Sequence, residues 1–158
     1  MADIFIKIDG IAGESQDATH PDEIKVVGWN WSVTRKYGVQ SGSGGAAKAT
    51  VSDLHFVHQI DKATPNLAAF CFQGKHIKQA VLTMRKAGSL PFEYLRISMC
   101  DVIITHVEQA GSQGLDMEHV SLSFARIKQE YTIQRATGSS AGTVMSIIDI
   151  KQNTSPDE

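Results

Sequence analysis

The chain has 158 residues, enough for one domain with a real core, and roughly two-thirds of its unfolded surface would be buried on folding. Its 15 basic and 17 acidic residues leave a formal charge of -2 and are spread along the sequence, which excludes the electrostatic footprint of a nucleic-acid binder or of a protein held on an anionic membrane. Met1-Ala2-Asp3-Ile4-Phe5-Ile6-Lys7 lacks the basic lead and apolar stretch of a signal peptide, and no later run reaches membrane-spanning length, so a soluble protein made in the cytoplasm is expected.

Ile4 to Ile8 reads as a first strand, and Asp9 to Asp17 has the Gly, Ser and Asp content of a surface loop that Pro21 closes. The carboxylates Asp3, Asp9, Glu14, Asp17, Asp22 and Glu23 lack the spacing of a calcium loop and read as solvated flanks. From Glu23 to Tyr37, Val27, Trp29, Trp31 and Val33 recur at every second position, which predicts one long strand with these four on its core face. Asn30, Ser32 and Thr34 fall on the other face.

Gly38-Val39-Gln40-Ser41-Gly42-Ser43-Gly44-Gly45-Ala46 has almost no side chain to bury and a high entropic cost of ordering, which predicts a mobile arm. A phosphate loop is excluded, because no Lys-Ser or Lys-Thr pair and no helix start follows. Lys48 to Ile60 then alternates Leu54, Phe56, His58 and Ile60 against Ser52, His55 and Gln59, a second long strand that makes the arm the tip of a hairpin. His55 and His58 fall on opposite faces of that strand, with no cysteine or carboxylate pattern to complete a zinc site; one exposed and one partly buried histidine is expected.

Thr64-Pro65 and Gly74 delimit a helix of about ten residues: the threonine hydroxyl accepts an orphan amide, proline suits the first turn, and glycine permits a left-handed exit. Leu67, Phe70 and Cys71 form its apolar stripe, which must dock on a sheet because so short a helix is unstable alone. Cys71 and Cys100 lie in apolar contexts and read as reduced core thiols.

Ile77 to Lys86 and Phe92 to Glu108 are two further strands, and Gly111 to Gly114 is a turn. In the next run Val120, Leu122 and Phe124 are even-numbered whereas Ile127, Tyr131 and Ile133 are odd, so the inward face changes parity near Ala125-Arg126, through a bulge or a change of neighbours. Ala136 to Gly142 is a small-residue linker before a last strand, Thr143 to Ile150. Gly138-Ser139-Ser140-Ala141-Gly142 matches G-x-S-x-G, but a strand pattern follows it where a helix should, and no histidine lies downstream; a hydrolase using Ser140 fits poorly. Trp29 and Trp31 read as core rather than as a stacking platform. The sum is a mainly β fold, an antiparallel β-barrel or two packed sheets with one short α-helix and a long extended hairpin loop. Residues 1–151 are expected to form a single domain and 152–158 a frayed tail.

Several of these segments together resemble the haemolysin-coregulated protein (Hcp) family of the bacterial type VI secretion system. They are Asp3-Ile4-Phe5-Ile6-Lys7-Ile8-Asp9-Gly10-Ile11 with Gly13-Glu14-Ser15, Trp29-Asn30-Trp31, Asp61-Lys62-Ala63-Thr64-Pro65, Gly74-Lys75-His76-Ile77, Ala80-Val81-Leu82-Thr83-Met84-Arg85-Lys86-Ala87-Gly88, Phe92-Glu93-Tyr94-Leu95 and Val120 to Ile127, all in family order. The chain departs from the family at Ile147-Ile148, where a more aromatic or glycine-containing strand is expected.

The resemblance implies a non-enzymatic tube protein without cofactor or metal: a homohexameric ring whose copies stack into a hollow tube and are secreted through the apparatus from the bacterial cytoplasm without a signal peptide. Implied partners are the contractile sheath, the spike or tip proteins and small effectors in the lumen, with no nucleic acid and no membrane insertion. The arm from Gly38 to Ala46 resembles the family's extended loop and is the expected ring-stacking element. An effector-holding chaperone or carrier ring that builds no tube is the alternative. Independently of the family, an open sheet has unpaired edge groups, and a closed ring of copies satisfies them without runaway aggregation.

Overall fold

The computed structural model describes residues 2–36, 48–88 and 91–151. Among them the strands are β1 (Ala2–Ile8), β2 (Ile24–Lys25), β3 (Gly28–Asn30), β4 (Val33–Arg35), β5 (Ala49–Val51) and β6 (Leu54–Gln59). After the helix α1 (Thr64–Gln73) come β7 (Ile77–Lys86), β8 (Phe92–Ser112), β9 (Leu115–Ser123), β10 (Arg126–Gln134) and β11 (Ser140–Asp149). All the pairings are antiparallel, as expected of strands joined by short turns.

Nine strands form one sheet in the order β2-β1-β7-β8-β9-β6-β3, with β10 attached to β8 and β11 to β10; β4 and β5 form a second, two-stranded sheet. The long strand β8 organises the first sheet. Its opening half pairs β7 and β10, and from Ile103 onward it pairs β9. Asp101 sits at this change of partners with φ 54°, a left-handed conformation that aspartate tolerates better than most residues.

The expected single strand from Glu23 to Tyr37 is instead three short strands, because the chain changes edges within it. Val26 N donates to Ile4 O of β1 at 2.8 Å, and Val27 N, the very next amide, donates to Val57 O of β6 at 2.8 Å. The transfer breaks the alternation: Ile24 and Val26 enter the core, Trp29 and Trp31 pack partly against it, and Val27 and Val33 are exposed. The Lys48 to Ile60 run is likewise split into β5 and β6. Leu54, Phe56 and His58 are buried as the alternation requires, but Ile60 lies beyond the strand and is exposed.

The helix matches its expected limits, and Gly74 exits at φ 60° with its N–H donating to Cys71 O while Lys75 N donates to Phe70 O. Its start differs in detail. Ala63 takes the cap position with no side-chain cap, and Thr64 Oγ1 accepts from Asp61 N at 3.1 Å and donates to Glu118 on β9 at 3.0 Å. A buried carboxylate on the sheet outbids the helix amides for that hydroxyl. Leu67 is buried, with Phe70 and Cys71 half-buried against the core; Cys71 and Cys100 are both free thiols.

The parity change near Ala125 has its second explanation. β9 ends at Ser123, Ala125 N bonds Cys100 O at 3.1 Å, and β10 then pairs with the opening half of β8, so the two runs face different neighbours. Val120, Leu122, Phe124 and Ile127 are all buried, whereas Tyr131 and Ile133 are exposed.

Candidate assembly surface

The face of β10 and β11 that is core at one end is uncovered at the other. Ile127 is buried opposite the half-buried Ile148, and beyond the polar pair Gln129 and Ser146 the same face continues through Tyr131 opposite Val144, which are 47% and 62% exposed, and through Ile133. Strand alternation keeps these side chains on one side, so the apolar face overhangs the core it begins on. The edge of β11 that faces away from β10 pairs with no other strand among the described residues. An unpaired edge beside an exposed apolar face is a surface suited to another chain. On the helix, Phe72 is 92% exposed and points away from the docked stripe.

The 9–23 loop is clipped to the sheet by charge. Arg85 of β7 holds Asp17 Oδ1 at 2.7 Å and Asp3 Oδ2 at 3.0 Å, and its hydrogen bond to Asp17, helped by Thr19, keeps that carboxyl well below the usual carboxylate range. His20 stacks on Phe5 with centroids 4.7 Å apart, bonds Glu23 at 2.7 Å through Nδ1 and contacts the Glu93 carboxylate through Nε2. Burial disfavours its charged form, but the two carboxylates outweigh burial and raise its pKa. Asp3, Asp17 and Glu23, expected as solvated flanks, are therefore structural anchors. Their partners lie up to 82 residues away, which local reading does not reach.

The histidines also differ from expectation. His58 is fully buried, with Nε2 2.6 Å from Glu118 Oε1, while Gln109 Nε2 donates to Glu118 Oε2 at 3.1 Å. His55 lies on the opposite face, as the alternation required, half-buried with Nε2 3.2 Å from His119 Nδ1. Ser140 begins β11 instead of opening a helix, and its Oγ accepts from Gly142 N at 3.3 Å, which removes the nucleophile-elbow geometry. The expected stacking arm, Gly38 to Ala46, and the 152–158 tail lie outside the described residues. The two legs leading toward the arm do pair, through Val33 with Val51 and Arg35 with Ala49.

The β10–β11 overhang was not read as a surface from the sequence. Its signal was present in the odd-numbered run Ile127, Tyr131, Ile133, but alternation says only that a face is to be covered, not by which chain.

A family model described as "Type VI secretion system effector, Hcp" matches residues 5–131. Protein hcp1 of Pseudomonas aeruginosa is 44% identical over 156 residues, covering 96% of each chain. Among solved structures, Hcp1 from Salmonella typhimurium superposes with a TM-score of 0.81 at 43% identity, covering 98% of both chains. A type VI secretion system effector from Yersinia pestis does so with a TM-score of 0.78 at 44% identity, covering 93% of this chain and 99% of that one. The chain therefore belongs to the Hcp family of type VI secretion tube proteins, whose members are structural proteins and not enzymes.

Proposed function

We propose that this chain is the ring subunit of a type VI secretion tube, with six copies closing a ring and rings stacking into a hollow conduit that admits small effectors. Residues 1–151 act as a single domain, and the 24–30 segment, bonded to both β1 and β6, closes the sheet toward a barrel. The observation that carries the reading is the pairing of whole-chain family similarity with the apolar overhang at Tyr131, Ile133 and Val144 beside the β11 edge. A closed heterologous ring is the assembly that covers such an edge in every copy. The contractile sheath and the tip proteins are the expected outer partners, and the chain leaves the cytoplasm through the apparatus.

The arm from Gly38 to Ala46 serves ring-on-ring contact in this reading, gaining order on contact, so stacking is reversible. Electron microscopy of the purified protein tests both levels. Six-fold annuli are expected end-on, and deleting residues 38–46 should leave annuli but abolish tubes. Light scattering that finds only monomer across a wide concentration range would overturn the proposal. Intact annuli that never stack, with or without the arm, would favour the carrier ring.

A further inference from the structure

We infer that His55 Nε2 and His119 Nδ1, 3.2 Å apart on the neighbouring strands β6 and β9, form a two-nitrogen chelating site for a divalent d-block cation such as Cu2+, Ni2+ or Zn2+. The register puts them there. His55 lies opposite Ser121, and His119 is two residues along the same strand, so the two imidazoles are diagonal neighbours on one face. Their rings are 27° from parallel with centroids 5.3 Å apart.

The separation decides between two uses of the pair. As an N–H···N hydrogen bond, 3.2 Å is at the long limit of the usual range. As a chelate it fits well: a cation about 2.05 Å from each nitrogen would subtend an angle of roughly 100° across a 3.2 Å gap, between the square and tetrahedral values. Both nitrogens become donors of a lone pair when the ring protons sit on the far nitrogens. For His55 the far nitrogen is Nδ1, which lies 3.3 Å from Ser121 Oγ, a hydroxyl able to accept that proton's hydrogen bond and fix the tautomer.

Glu108 lies directly opposite His119 across the β8–β9 ladder and supplies a nearby negative charge. No third histidine, cysteine or carboxylate completes the set among the described residues, so water fills the remaining positions and the ion is exchangeable. Bound there, it would tie β6 to β9 in the folded chain alone and raise its melting temperature.

Titration of untagged full-length protein with Cu2+ tests the site, read by calorimetry and by electron paramagnetic resonance. One ion per chain with two-nitrogen coupling is expected. His55→Asn and His119→Asn should each weaken binding at least about tenfold, because a single imidazole does not chelate, while His106→Asn changes it less than about twofold. Copper should raise the melting temperature of the parent protein and leave both ligand variants unmoved. Binding that survives in His55→Asn and His119→Asn, both shown folded by circular dichroism, overturns the assignment. So does binding that only His106→Asn removes, or no stoichiometric binding at all.

Discussion

The β6–β9 region and the outer half of the β10–β11 hairpin are built from the same alternating pattern, yet they end in opposite states. In the first, Leu54, Phe56, Val120 and Leu122 are sealed in the core, and even the polar His58, Glu118 and Thr64 are buried and bonded to one another. In the second, Tyr131, Ile133 and Val144 continue a core face into solvent. The difference shows that alternation specifies a face to be covered, whereas the path of the chain decides whether the cover comes from within. One region makes the fold and the other is available for assembly.

The comparison breaks most sharply in the sealed region. Phe56→Ala should cost about 3–5 kcal/mol of stability, measured by urea unfolding, because the site is closed on all sides and cannot collapse around the cavity. Glu118→Ala comes next, at about 1–3 kcal/mol, since it strands His58, Thr64 and Gln109 without their shared acceptor. A Glu118→Ala protein as stable as the parent would show that the buried network contributes nothing.

The overhang should behave in the reverse way. Tyr131→Asp and Val144→Asp are each expected to leave monomer stability within about 0.5 kcal/mol, since exposed positions tolerate change. The same variants should weaken ring association by about tenfold or more in sedimentation velocity, as a charge would be buried against an apolar partner. A loss of stability without a loss of association would place this face in the fold and not in the assembly.

The smallest effect sharpens the picture at the loop clip. His20 has a raised folded-state pKa, so its contribution is complete below its unfolded value of about 6.5 and fades as pH rises through the higher folded value. The melting temperature should therefore fall slightly as pH rises above about 6.5, and His20→Gln should flatten that slope. An unchanged slope in His20→Gln would show that Glu23 and Glu93 do not hold a protonated ring.

Much of the architecture was legible in local signals. The helix from Thr64 to Gly74, the strand from Ile77 to Lys86 and the opposite faces of His55 and His58 follow from periodicity and punctuation, which neighbouring residues carry. The breaks in the expected strands at Val26-Val27 and at Ser52-Asp53 were not legible. A residue's hydropathy is the same whichever edge its amide joins.

The amino-acid sequence by itself determined a mainly β chain with one docked helix, and its family, because alternation, caps and the ordered segments from Asp3 to Ile127 are written along the chain. Only the tertiary structure decided that Thr64 serves Glu118, that Arg85 gathers Asp3 and Asp17, that His55 meets His119, and that the β10–β11 face outruns its core. Each of those is a matter of register between strands distant in sequence, and register is set by the packing of the whole sheet together.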